Sequence, residues 1–187
     1  MQTWPGFPEQ HLAALGAHLQ AEGRRVRLLV VGGAALRMRG VVPRATHDVD
    51  VLAAIDESGE PSPPDLETVR PLIRRVARDF GIPGDWLNTE VAMQWRLGLP
   101  PDPLADCEWR TFGSLDIGLA GRGLLIALKL FATCDHSATS VHCQDLLALS
   151  PDDRELAQAR EWVLDQDASS AWQAIVDEVI SHVQANR

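Results

Sequence analysis

Apolar residues recur at helical spacing from His11 to Gln20, with Leu12, Leu15 and Leu19 on one side and Gly23 placed to close the segment. Residues 8–22 are therefore expected to form a helix. VRLLVV (26–31) is a short β-branched run that stops at Gly32-Gly33, which reads as a buried strand entering a tight turn. AALRMRG follows as a brief helix, and THDVDVLAA resumes strand character.

The prolines and glycine of ESGEPSPPD predict a loop over 57–65. Leu66, Val69, Leu72, Ile73, Val76 and Phe80 keep a helical period over 66–80, with Asp65 as cap and Pro71 marking a late start. GIPGDWLNTEVAMQW is irregular and PPDPLADCEW is a surface loop, while EWRTF and SLDIGLA alternate like strands. Helices are expected over 122–134, 141–149, 151–166 and 169–185, the third of them capped by Ser150. Strands and helices mix up to about residue 121, and only helices follow. The predicted fold class is α+β: a small mixed sheet core over 1–121 and a helical bundle over 122–187.

The composition changes this picture little: of 187 residues, 45% are apolar and 23% charged, as in a globular domain. No apolar run approaches membrane length and the N-terminus has no signal-peptide layout, so a cytoplasmic protein is expected. Cys107, Cys134 and Cys143 form no disulfide framework. A net charge of −9 opposes non-specific nucleic-acid binding, although Arg24, Arg25, Arg27, Arg37, Arg39 and Arg44 cluster in the first quarter of the chain.

Asp48 and Asp50 are two apart in a strand and so share one face. Adjacent carboxylates repel unless a cation lies between them, and magnesium, a hard ion that keeps open positions for water and phosphate, suits the pair. The simpler reading places both at an exposed strand end, satisfied by water and by Arg44 or Arg39. The strand-Gly-Gly-helix unit just upstream favours the first, because a glycine turn lets backbone approach a phosphate closely.

VVGGAALRMRGVVPRATHDVDVL resembles the signature of the polymerase β-type nucleotidyltransferase superfamily. The form G-G-A-x-L…R-x-T-x-D-x-D is similar to the minimal nucleotidyltransferases grouped with abortive-infection toxins and their bacterial relatives. GDWLNTEVA (84–92) and LLIALKLFA with the downstream QDLLALSPDDREL resemble the same group. The resemblance implies that Gly32 and Gly33 form the phosphate-holding turn and that Asp48 and Asp50 bind Mg2+. It further implies that Thr46 braces the strand or a phosphate and that Lys129 faces the nucleotide phosphates. Asp145 becomes a structural or substrate-side acid. Arg37 and Arg39, on the helix after the glycines, are candidates to meet phosphate, with simple surface charge as the alternative reading. Superfamily members place a third carboxylate, a general base, on a neighbouring strand; Asp116 is the candidate here, with Glu108 and Asp106 as alternatives. Where relatives carry Arg or Lys after the Lys-Leu-x-Ala helix, this chain has CDHSATSVHCQD.

The implied activity moves an NMP from an NTP to an acceptor hydroxyl on RNA or protein, with an antitoxin as a possible partner. A small-molecule nucleotidyltransferase and a non-catalytic binding protein on the same scaffold are the alternatives. Cys134, His136, His142 and Cys143 have zinc-type atoms, but their spacing is not that of a finger or knuckle. The tryptophans are read as core, except that Trp86 could border the substrate cleft.

Overall fold

A computed structural model describes residues 7–136 and 139–187. They form two compact units: residues up to Gly98 together with Asp106–Ala120, and Leu99–Ala105 together with Gly121–Arg187. The first is a mixed sheet with helices and the second is helical, so the architecture is α+β with a six-stranded sheet.

In the first unit α1 (Glu9–Ala21) precedes β1 (Val26–Val31), α2 (Gly32–Met38) and β2 (Val49–Ile55). Then come β3 (Pro61–Ser62), α3 (Arg70–Phe80), β4 (Leu87–Asn88), a 3-10 helix (Glu90–Arg96), β5 (Glu108–Phe112) and β6 (Leu115–Leu119). The strand order is β3-β2-β1-β6-β5, with β4 also beside β2. β1 is central, antiparallel to β2 and parallel to β6, which explains why Leu28, Leu29, Val30 and Val31 are all apolar and buried. The β1–β2 register shifts between Leu29 and Val30, so that Leu29 faces Ala53 while Val30 faces Val51. Leu52 is skipped, and its carbonyl accepts the Trp95 indole N–H at 2.7 Å. The same bulge sets Asp50 opposite Val31, the last residue before the glycines.

Several local expectations need correction. The 57–65 loop contains β3, whose proline is tolerated because it sits at the sheet edge. Asp65 does not cap α3; its carboxylate accepts from the Glu67 N–H at 2.9 Å in a preceding turn, and the helix starts at Arg70 with Pro71 in its first turn. The irregular 81–95 stretch holds β4 and the 3-10 helix. Trp86 borders no cleft: it is buried, its indole donates to the Ile73 carbonyl at 3.1 Å, and Phe7 and His11 pack on it.

His11 is buried among Phe7, Phe80 and Trp86, and its Nδ1 has no hydrogen-bond partner among the described residues. Burial pushes its pKa below the ordinary value, because the apolar surroundings disfavour imidazolium. The unfolded chain takes up this proton near about pH 6.5 and the folded chain only at lower pH. The stability that neutral His11 supplies is therefore full above that pH and declines as pH falls through it. Thermal midpoints measured from about pH 7.5 to 5 should fall more steeply for the wild type than for His11→Phe, which keeps the ring and drops the proton.

In the second unit α4 (Arg122–His136) packs against α5 (Val141–Leu149), α6 (Asp153–Asp165) and α7 (Ser170–Asn186). Leu125, Ile126 and Leu130 of α4, Leu156 and Val163 of α6 and Val176 and Val183 of α7 are buried. Phe131 packs against both Trp162 and Trp172 at 5.8 Å. The cap of α6 is Asp152, not Ser150. Asp152 accepts from the Glu155 N–H at 2.8 Å and Glu155 returns the bond to the Asp152 N–H at 2.9 Å, a full capping box. Ser150 instead closes α5 in a left-handed conformation, φ 46°.

Candidate functional site

The turn from β1 into α2 brings the glycines and the acidic strand together. Gly32 has φ +69°, a conformation that strains any side chain-bearing residue. A Cβ built on it would lie 2.3 Å from Asp50 Oδ2, so the missing side chain also makes room for the carboxylate. Asp48 lies just before β2 and is exposed, whereas Asp50 is half-buried. The backbone between them is fixed by the Val49 N–H, which donates to the Trp86 carbonyl at 2.7 Å.

Thr46 is buried and its hydroxyl donates toward the Asp48 carbonyl at 3.3 Å and the Asp48 carboxylate Oδ1 at 3.4 Å. It braces the segment that carries the acid. Arg44 reaches the same place: its guanidinium nitrogens lie 3.2 and 3.5 Å from where a side chain would begin at Gly33. A cation and a carboxylate thus stand over successive glycines. Arg37 faces the loop rather than a phosphate, since its Nη1 donates to the Pro43 and Arg44 carbonyls at 3.3 Å each. The sequence reading of Arg37 as a nucleotide ligand is corrected to a residue that holds the loop before Thr46.

Two residues that the sequence does not mark as site residues matter here. Arg44 reads from sequence only as a neutralising neighbour of the aspartates. Asn88, in a stretch read as irregular, stands on β4 in register with Asp50 and donates from Nδ2 to Asp50 Oδ1 at 3.3 Å. The strand pairing that brings it there is non-local, and the DWLN stretch was its sole signal.

Asp116 does not belong to this site. In the parallel β1–β6 pair it faces Arg27, four residues before Val31, which is about 13 Å along the strand from the glycine turn. Its carboxylate accepts from Thr111 at 2.7 Å and from Arg25 Nη2 at 2.8 Å, with Arg27 at 4.0 Å. Burial alone would push this carboxyl up, but the Thr111 and Arg25 hydrogen bonds and the two arginine charges pull it below the ordinary range. It is a structural anion rather than a poised base. Of the alternatives, Glu108 lies on β5, beyond β6 from β1, and pairs with Arg110 at 2.7 Å.

Lys129 is likewise corrected. Its ammonium lies 2.7 Å from Asp145 Oδ2 inside the helical unit, with the two side chains 8% and 1% exposed. An ammonium so enclosed is a structural partner of Asp145, not a phosphate ligand. The clustered arginines are also engaged: Arg24 with Thr68, Arg25 with Asp116, Arg27 with the Asp56 carbonyl and the Trp109 ring, and Arg39 with backbone carbonyls.

Asp48 and Asp50 have the donor chemistry for a hard divalent cation. Among the described residues no three His, Cys, Asp or Glu side chains converge as a ligand set. Two carboxylates suit magnesium, which completes its shell with water and phosphate, better than they suit an ion held in an all-protein cage. The Cys134 and Cys143 thiols are buried and pushed up, the first to about 12, so they remain protonated; the His136 and His142 rings stack at 5.1 Å.

Gly32→Ala tests the turn. Alanine at positive φ costs about 1–2 kcal/mol, and its methyl group displaces the Asp50 carboxylate. The variant should fold with a lowered thermal midpoint, and calorimetry with Mg2+ and inorganic triphosphate should show weaker binding than to the wild type.

No helix among the described residues is long and apolar enough to cross a membrane. No protein-family model matches the chain, and no curated protein matches it. Among solved structures it is similar to an antigenic nucleotidyltransferase-like protein from Paracoccidioides brasiliensis. That similarity has a TM-score of 0.46 and 14% identity, covering 90% of this chain and 93% of the other.

Proposed function

We propose that the α/β unit is a metal-dependent nucleotidyltransferase that moves an NMP from an NTP to an acceptor hydroxyl. The observation that carries this reading is the Asp50 carboxylate lodged against Gly32, with Asp48 two residues earlier and Arg44 over Gly33. Asp48 and Asp50 would hold Mg2+, which would supply charge neutralisation and polarisation at the phosphates when bound. Around it the chain positions and stabilises. The glycine turn admits phosphate oxygens without a Cβ in the way, Thr46 holds the Asp48 segment, and Arg44 brings a planar donor fork suited to phosphate. Electrostatic stabilisation by such fixed groups is usually the largest part of the rate in this class of chemistry. The acceptor hydroxyl would attack the α-phosphorus and pass its proton to solvent, while the bond from the α-phosphorus to the bridging oxygen breaks and pyrophosphate leaves.

The resemblance to toxin-like members points to RNA or protein as acceptor and to an antitoxin as partner. Equilibrium dialysis with each of the four common NTPs, with Mg2+ and with chelator, tests the first half of the reading. Retention of at least one NTP that requires the metal is expected; equal retention in chelator would refute it.

A further inference from the structure

The two oxygens of Asp50 have different neighbours. Oδ2 points over Gly32, while Oδ1 accepts from Asn88 Nδ2 at 3.3 Å. The Asn88 amide is itself held from its other end, because its Oδ1 accepts from the Glu90 backbone N–H at 2.9 Å. A backbone N–H can only be met by the amide oxygen, so the NH2 group is turned toward Asp50 by necessity. β4 contributes only Leu87 and Asn88 to the sheet, pairing with Val49 and Asp50, and so delivers this side chain to the acidic strand. The position paired with Asp50 on the adjacent strand lies about 4.8 Å from it. A neutral amide occupies that place.

Resting on the function proposed above, the geometry points to Asn88 as the positioning residue of the metal site. Its amide fixes which Asp50 oxygen faces the glycine turn, and its neutrality keeps cation binding dependent on the nucleotide's phosphates. With two carboxylates and no third among the described residues, Mg2+ would be held weakly until phosphate oxygens join its shell. An aspartate at 88 would accept the same Glu90 N–H but place a third negative charge beside Asp50. The cation would then be held without nucleotide. Residues that orient a metal ligand in this way typically matter by about 10–100-fold in metal affinity.

The test titrates Mn2+ alone, and Mn2+ with inorganic triphosphate, following free Mn2+ by electron paramagnetic resonance. The wild type should bind Mn2+ alone weakly and more tightly with triphosphate. Asn88→Asp should tighten binding of Mn2+ alone by about tenfold or more and shrink the effect of triphosphate. Asn88→Ser keeps a hydroxyl for the Glu90 N–H but cannot reach Asp50, and it should weaken Mn2+ binding with triphosphate by about tenfold. If the side chain served only to start the 3-10 helix, Asn88→Ser would match the wild type, and that result overturns the inference. So does Asn88→Asp binding Mn2+ alone no more tightly than the wild type; should that variant fail to fold by circular dichroism, the serine variant decides. The Asp48→Asn/Asp50→Asn double variant separates the two levels. If it binds Mn2+ and triphosphate like the wild type, the site itself is misplaced, whereas its loss of binding alongside unaffected Asn88 variants removes only the role of Asn88.

Discussion

On the proposed function, the Asp48→Asn/Asp50→Asn variant should lose metal-dependent NTP retention and transfer nucleotide about a thousandfold more slowly than the wild type. The magnitude follows from the several kcal/mol that a bound cation supplies to a phosphoryl transition state, at about 1.4 kcal/mol per factor of ten. Stability should move the other way or stay level. Without a cation the two carboxylates repel, and asparagine can still accept the Asn88 and Thr46 hydrogen bonds. Loss of function with an unchanged or higher thermal midpoint is therefore the signature. A variant that loses function by unfolding would show a lowered midpoint instead.

Lys129→Met destabilises the helical unit by about 3–5 kcal/mol, because it leaves the Asp145 carboxylate buried beside an apolar side chain. Asp145→Leu should do the same to Lys129. The double variant should recover most of the loss, since replacing both members of a buried pair by apolar groups of similar volume is often neutral. Chemical denaturation of the four proteins measures the coupling directly. If the single variants each lose less than about 1 kcal/mol, the pair is hydrated like a surface bridge and Lys129 regains its candidacy as a ligand.

The parts of this molecule that local chemistry dictates could be read from the chain. VRLLVV breaking at Gly32-Gly33 and resuming at Val49 predicted the central strands, and Leu12, Leu15 and Leu19 predicted α1. What sequence could not supply was register. SLDIGLA is a strand as expected, yet whether Asp116 reaches the glycine turn depends on its parallel pairing with β1, a contact between residues far apart in the chain. Lys129 shows a different limit. LLIALKL is apolar all round, which marks a buried helix and should have signalled a buried, paired lysine, but the partner Asp145 lies on another helix. Ser150 and Asp152 both satisfy the rules for a cap, and only the reciprocal bond with Glu155 decides between them. Asn88 was hidden because a two-residue strand has no periodicity to detect.

The central claim is that the site beside Gly32 transfers a nucleotidyl group. Incubation of the full chain with Mg2+, total cellular RNA and protein, and NTPs labelled in turn at the α- and γ-phosphate tests it most directly. The account predicts label on a macromolecule from α-labelled NTP only, with pyrophosphate released, and none with Asp50→Asn. Label carried from the γ-position, or transfer that survives Asp50→Asn, would contradict it.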